Sequence, residues 1–213
     1  MIVRFIRHGL TQANETTGIC GRRIDWPLSE NGKKGILDLV QQGIYSGDPG
    51  ALYASTLVRT QQTLRLVYPE LPFEATHLLD ERDLGVIEYI TDPAVGRERL
   101  RHLADENGRE YPDAYPGGED FERFSARVLR DFTLLLAQAR SRGSESITIF
   151  GHGSYLRQVG ICFAVPGYTN IRPIVRNGTG FTFDALPKDE GGFSLSIRSF
   201  IGGNSLGELL LRI

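Results

Sequence analysis

The stretch VRFIRHGLTQAN, residues 3–14, decides how the chain is read. It opens as an apolar run, which predicts a buried strand over residues 2–6, and it stops at Arg7, His8 and Gly9. A strand that only fills a core has no reason to end in a guanidinium and an imidazole, because both are costly to take out of water. In an open parallel sheet, ligands bind beyond the carboxyl ends of the strands. The stretch is therefore expected to deliver Arg7 and His8 to such an end, with Thr11 and Asn14 close behind.

Outward from there, the chain alternates. Residues 29–43 carry helical periodicity, with Ser29 as N-cap. ALYAS, 51–55, reads as a short strand leading into a helix over 57–68 that stops before Pro69. FEATHLL, 73–79, reads as a third strand. Phe121, Phe124, Val128, Phe132 and Leu135 recur at helical spacing and predict a long helix over 119–140. SITIF, 146–150, reads as a buried strand, and residues 156–164 as a short helix ended by Pro166 and Gly167. GFTFDAL and FSLSIRSF alternate on either side of Gly191-Gly192, as antiparallel edge strands do. No internal repeat or linker stands out. The order predicts a single domain over 1–213, a three-layer α/β/α sandwich whose mostly parallel central sheet carries an antiparallel edge strand.

Composition narrows the function classes. The chain has 213 residues, 40% of them hydrophobic, which suffices for one sizeable core. Its net charge is -2 and its basic residues form no long block, which argues against nucleic acid as the partner. No apolar stretch approaches the roughly 20 residues that cross a bilayer, and no signal-peptide pattern precedes the first strand. The two cysteines, Cys20 and Cys162, are too few for a disulfide scaffold and make no metal pattern. A cytoplasmic protein, monomer or homodimer, with neither nucleic acid nor membrane as partner, is the expectation.

What gathers at the strand ends is cationic and titratable. The first strand delivers Arg7 and His8. The second delivers Ser55 and, on the next turn, Arg59. The third is followed by Asp80, Glu81 and Arg82. SITIF delivers Gly151, His152 and Gly153. Such a crevice suits phosphoryl transfer. Arginine matches phosphate oxygens in pairs, a helix N-terminus adds N–H donors, a neutral imidazole can take the phosphoryl group, and a carboxylic acid can protonate the leaving oxygen. Two Arg, two His and one Glu form a kit that needs no metal and no cofactor.

Each of these residues has a blander reading. A lone strand-end His is more often structural, Arg59 alone is a solvated helix residue, and Glu81 alone is a surface charge. His77 and His102 stay at that reading. The joint occurrence at successive strand ends is what raises the functional one. A zinc site built on His8 and His152 lacks a third ligand at metal spacing and would set a dication beside arginines.

The motifs, in order, resemble the histidine phosphatase superfamily, the phosphoglycerate mutase-like fold. RHGLTQAN resembles its nucleophile signature, DWPLSENGKKG its D-x-P-L-S/T-E-x-G segment, and YASTLVRTQQT the element with the second phosphate arginine. LLDERDLGVIE resembles the region that holds the acid, YPGGEDFERFSARV a P-G-G-E-S helix start, FGHGSYLR the second H-G site, and RNGTGFTF a late strand. The resemblance runs across nearly the whole chain. It implies His8 as the phosphorylated nucleophile and Glu81 as general acid, with Glu88 as rival. Arg7, Arg59 and His152 would hold the phosphoryl oxygens. Asn14 would touch the phosphate or the leaving group, Thr11 would line the pocket mouth, and Gly153 would contribute to the phosphate site. Small phosphate esters are the implied substrates of a metal-independent, acid-type phosphatase.

Two departures bear on substrate. CGRRIDWP is about one residue longer than the family's G-R-x-D-x-P, so Arg22 and Arg23 either point toward a second acidic group on the substrate or one of them is simply a solvated loop arginine. The cap-like segment, about 89–117, carries Arg97, Arg99, Arg101 and Arg109 but lacks the long basic insert of cofactor-dependent phosphoglycerate mutases. That favours a phosphatase over a mutase. The contrasting class is a catalytically silent phosphate-binding protein, which would have no need of the acid.

Overall fold

The computed structural model describes residues 1–96, 98, 115–165 and 175–203. Six strands form one sheet: β1 (Ile2–Arg7), β2 (Ala51–Ser55), β3 (Glu74–Thr76), β4 (Ser146–Gly151), β5 (Gly180–Pro187) and β6 (Phe193–Ile201). Their order in space is β3-β2-β4-β1-β5-β6. The first four are mutually parallel, and β5 runs antiparallel to both of its neighbours. The antiparallel strand thus lies one place in from the edge. The hairpin around Gly191-Gly192 makes β6 the edge strand.

The helices cover both faces. Successive side chains along a strand point to opposite sides. Val3 and Phe5 of β1 and Ile147 and Ile149 of β4 therefore join one core with Phe124, Val128, Phe132 and Leu135 of α4 (Phe121–Ser141) and with Tyr155 and Leu156 of α5 (Gly153–Cys162). Ile6 and Phe150 face the other way, against Ile36 of α2 (Glu30–Gln41) and Leu64 and Val67 of α3 (Val58–Val67). Burial on both faces is why Phe5 and Ile6, and Ile149 and Phe150, stand as adjacent apolar residues at the ends of IVRFI and SITIF. Ser29 caps α2, its Oγ accepting from Gly32 N at 3.0 Å. Asp120 caps α4, accepting from Arg123 N at 2.7 Å.

Three elements differ from the sequence reading. The third strand is only Glu74–Thr76, and the chain then tightens into a 3₁₀ turn over His77–Leu79, with the Thr76 hydroxyl accepting from Leu78 N. The helix expected from residue 156 begins at Gly153, so His152 occupies its N-cap. A one-turn helix, α1 (Gln12–Glu15), follows β1 directly. The cap-like arginines Arg97, Arg99, Arg101 and Arg109, and His102, lie outside the described residues.

Candidate active site

The register of the sheet makes the site. β1 and β4 pair in parallel with Arg7 opposite Gly151, so the next residues, His8 and His152, leave adjacent strands side by side. Gly151 must be glycine there, because a Cβ would stand 2.5 Å from the Phe5 ring. The two imidazoles meet edge to face, with centroids 5.3 Å apart and planes at 63°. Both are buried.

Hydrogen bonds fix each ring. His8 Nδ1 lies 2.6 Å from the Gly9 carbonyl, which can only accept. The proton is therefore on Nδ1, and Nε2 carries the free lone pair. The backbone around His8 is pinned on both sides: His8 N donates to Gly151 O, Gly9 N to Thr63 Oγ1, and Asn177 Nδ2 to His8 O. His152 has the opposite arrangement. Arg59 Nε donates to its Nδ1 at 3.3 Å, and its Nε2 stands 2.7 Å from Ser55 Oγ, so Nε2 bears the proton and donates to the serine. Ser55 can pass its own proton toward Thr60 Oγ1, 3.1 Å away, which in turn donates to Leu57 O.

Arg59 is fully buried, an unusual place for a cation. Its Nη2 donates to Gly21 O at 2.8 Å, and its Nη1 has no hydrogen-bond partner among the described residues. Arg7 Nη1 donates to Val175 O at 2.7 Å. Burial, followed by the charges of Arg59 and Arg7, pushes the His8 pKa well below its ordinary value. For His152, burial and then Arg59, His8 and Arg7 act in the same direction. Both rings are therefore neutral at pH 7, and His8 Nε2 is available as a nucleophile.

Glu81 is 4% exposed and stands at the N-terminus of α5. Oε1 accepts from Arg82 N at 2.8 Å and Tyr155 N at 3.1 Å, and Oε2 accepts from Ser154 N at 3.2 Å. Burial raises its pKa, opposed by the Arg82 N–H, Arg59, the Ser154 N–H and Arg7. Oε2 accepts the single, longer bond, so it is the oxygen with room for a proton. Glu81 takes the second and third N–H groups of α5 and leaves the first, that of Gly153, without a protein acceptor among the described residues.

The other sequence candidates fall into place differently. Thr11 and Asn14 form a capping box on α1: Thr11 Oγ1 accepts from Asn14 N, and Asn14 Oδ1 accepts from Thr11 N, each at 3.2 Å. Thr11 is wholly buried, so it fixes the loop rather than lining a mouth. The box orients Asn14 and leaves its amide NH₂ as the group able to donate. Glu88, the rival acid, has both oxygens committed to backbone: Oε2 to Arg23 N at 2.7 Å and Ile24 N at 3.2 Å, Oε1 to Leu84 N at 2.9 Å. A Cβ on Gly21 would stand 2.2 Å from Glu88 Oε1, so glycine lets this carboxylate close on the loop that supplies the Gly21 carbonyl to Arg59. Arg23 pairs with Asp83 at 2.6 Å and donates to Gly117 O, whereas Arg22 is exposed and makes no hydrogen bond among the described residues.

The family profile described as "Histidine phosphatase superfamily (branch 1)" matches residues 3–170. The chain belongs to this superfamily. A cattle protein named fructose-2,6-bisphosphatase TIGAR is 33% identical over 144 residues, covering 62% of this chain and 49% of that protein. A Caenorhabditis elegans 6-phosphofructo-2-kinase/fructose-2,6-bisphosphatase is 28% identical over 154 residues, covering 72% of this chain and 32% of that protein. The chain thus spans about a third to a half of the length of these curated relatives. Among solved structures, a mycobacterial glucosyl-3-phosphoglycerate phosphatase has a TM-score of 0.72 at 17% identity, covering 96% of this chain and 99% of that one. The α-ribazole phosphatase of Shigella flexneri has a TM-score of 0.65 at 22% identity, covering 93% and 96%. A phosphoglycerate mutase from Bacillus anthracis has a TM-score of 0.67 at 20% identity, covering 86% and 87%. These likenesses show the phosphoglycerate mutase-like fold.

Thr63 and Asn177 are residues whose importance the sequence alone does not single out, and Ser55, expected at a strand end, proves to be the partner of His152. Each holds an imidazole or its backbone through a contact distant in sequence. Among the described residues, no helix is long and apolar enough to cross a membrane, and no three His, Cys, Asp or Glu side chains group as a metal site.

The two neutral histidines set a pH dependence of stability. An unfolded histidine titrates near 6.5, and both folded values lie well below. Below pH 6.5 the unfolded chain therefore binds more protons, and stability falls with pH until the folded pKa values are reached. Glu81, with its folded pKa raised above about 4.5, acts in the opposite sense, adding stability as pH falls through its folded value. The expected result is a lower urea midpoint at pH 5.5 than at 7.5, and a shallower decline in His152→Asn. An identical decline in that variant would contradict the assignment.

Proposed function

We propose that the protein is a phosphomonoesterase that hydrolyses small phosphate esters through a phosphohistidine on His8. The observation that carries the reading is Arg59. It is a fully buried guanidinium with one nitrogen unpartnered among the described residues, and it is bonded to one of two neutral imidazoles. Buried donors are nearly always paired, so an unpaired one calls for an oxyanion. Arg59 Nη1, the Gly153 N–H, the Asn14 amide and Arg7 would hold the phosphoryl oxygens. His8 Nε2 attacks phosphorus and the P–O bond to the alcohol breaks. Glu81 Oε2 gives the departing oxygen its proton. The resulting carboxylate takes a proton from water, which attacks the phosphohistidine, releases phosphate and restores both groups. His152 supports the developing equatorial charge through its coupling to Arg59.

The test is a panel of phosphate esters assayed for released phosphate with and without EDTA. Release from several esters, unchanged by the chelator, is expected. Loss of activity in EDTA, restored by a divalent ion, would overturn the metal-free scheme. Efficient isomerisation of 3-phosphoglycerate primed with 2,3-bisphosphoglycerate, with little free phosphate, would replace hydrolysis by mutase chemistry.

The names of the relatives favour substrates with a second anionic group, such as bisphosphates or phosphoglycerate derivatives. Arg22 would meet that group. It adjoins Gly21, whose carbonyl touches Arg59, and it is exposed and unpaired among the described residues while Arg23 is engaged by Asp83. Arg22→Ala is expected to raise KM for bisphosphates by about threefold to tenfold, a charged contact discounted for solvent exposure, and to leave p-nitrophenyl phosphate unchanged. Arg23→Ala should instead affect all esters alike by loosening the rim. Steady-state kinetics on the two substrate types decide between them.

A further inference from the structure

The loop that carries Glu81 is tied down from behind by a charge pair outside the strand-end cluster. Arg127, on the second turn of α4, sends Nη1 to Asp80 O at 2.9 Å and Nη2 to Glu81 O at 3.0 Å. Glu119 grips the same guanidinium in a fork, Oε1 accepting from Nε at 2.6 Å and Oε2 from Nη2 at 2.8 Å. The two side chains are only 12% and 16% exposed. Glu119 also closes the rest of the loop. Its Oε2 accepts from Asp83 N, its N donates to Asp83 O, and its carbonyl accepts from Arg82 Nη2. Every residue from Asp80 to Asp83 is thus hydrogen-bonded to this pair. The Phe124 ring lies against both guanidiniums, 5.2 Å from that of Arg127 and 5.8 Å from that of Arg82.

We propose that Arg127 and Glu119 are a positioning pair that aims the Glu81 carboxyl for proton delivery. The inference rests on the phosphomonoesterase reading and deepens it. Arg127 touches no oxygen of the Glu81 carboxyl. It holds the two carbonyls on either side of the Glu81 Cα, while the carboxyl is held separately by the amides of Arg82, Ser154 and Tyr155. The pair therefore acts through the place of the backbone. An arginine makes the fork and both carbonyl bonds at once, and a lysine ammonium cannot span the four acceptor oxygens. A displacement of about 1 Å at a catalytic group is enough to cost about a hundredfold in rate.

A residue that aims an acid matters only where an acid is needed. Glycerol 2-phosphate, whose alkoxide leaves poorly, and p-nitrophenyl phosphate, whose phenolate leaves well, are the probes. Arg127→Met is expected to lower kcat on glycerol 2-phosphate by about 100-fold, with KM within about twofold, and to change kcat on p-nitrophenyl phosphate by less than about threefold. Arg127→Lys should fall between, and adding Arg127→Met to Glu81→Gln should cause little further loss, because both remove the same function. Equal losses on the two esters, or losses that multiply in the double variant, would overturn the inference and leave the phosphomonoesterase reading intact. If the unaltered protein releases phosphate from neither ester, it is that reading which fails. Should Arg127→Met be insoluble, Glu119→Gln keeps the guanidinium, loosens its grip and carries the same comparison.

Discussion

Replacing His8 with alanine is expected to lower kcat on p-nitrophenyl phosphate by about 10⁴-fold or more, because a nucleophile and the intermediate it forms are lost together. No neighbour can take its place. His152 is the other imidazole in reach, but its Nδ1 accepts from Arg59 and its Nε2 donates to Ser55. Of these two rings, His8 is the one with its Nδ1 proton committed to a carbonyl and its Nε2 lone pair free. The backbone at positions 8 and 9 is fixed by Gly151, Thr63 and Asn177, so alanine should leave the fold in place. Phosphate release measured beside a thermal melt checks both halves. A soluble His8→Ala that keeps more than about a tenth of the turnover would move the nucleophile elsewhere.

Glu81→Gln should separate substrates by leaving group. General acid catalysis contributes about 10²- to 10⁴-fold when the departing oxygen is a poor leaving group, and far less for nitrophenolate. The loss on an alkyl phosphate is thus expected to exceed that on p-nitrophenyl phosphate by at least about tenfold. The glutamine carbonyl oxygen can keep the Arg82 and Tyr155 amides while its NH₂ stands in for Oε2, so the change removes the proton at the cost of the Ser154 bond. Glu88→Gln is the contrast. Its carboxylate accepts three backbone N–H bonds, and an amide must turn a donor toward one of them, which costs about 1–3 kcal/mol of stability. Both esters should then change alike. The reverse pattern, with Glu88 sensitive to the leaving group, would exchange the two roles.

The strand-end cluster was legible because its parts sit in short, local signals. Apolar runs buried on both faces marked β1 and β4, and the charged residues that broke them were the ones the sheet register brings together. Ser29, and the apolar period from Phe124 to Leu135, marked α2 and α4 for the same local reason. The start of α5 was missed because Gly153 and Ser154 carry no periodicity, and the helix there is capped from a distance by Glu81 rather than by its own N-cap side chain. The third strand was overdrawn because an apolar run that turns into a 3₁₀ turn looks the same as one that stays extended. The short α1 is one turn held by reciprocal Thr11 and Asn14 bonds, too brief for any period to show.

What could not be read at all was the support behind the site. Glu88 and Glu81 are both acidic residues after the same strand, and only their partners tell them apart. One faces the N-terminus of α5, the other the backbone of residues 23 and 24. Arg22 and Arg23 are neighbours in sequence, yet only Arg23 meets Asp83. Arg127 lies 46 positions from the carbonyl of Glu81 that it holds. Such contacts depend on tertiary packing, and spacing along the chain gives no sign of them.

The most direct test is to mix the protein with ³²P-labelled p-nitrophenyl phosphate, quench within milliseconds in alkali, where phosphohistidine survives and phosphoserine or an acyl phosphate differs in stability, and map the labelled peptide. The account predicts acid-labile, alkali-stable label on His8, absent from His8→Ala and accumulating when water attack is slowed in Glu81→Gln. Label on another residue, or turnover in a single step with no labelled protein at any time, would contradict it.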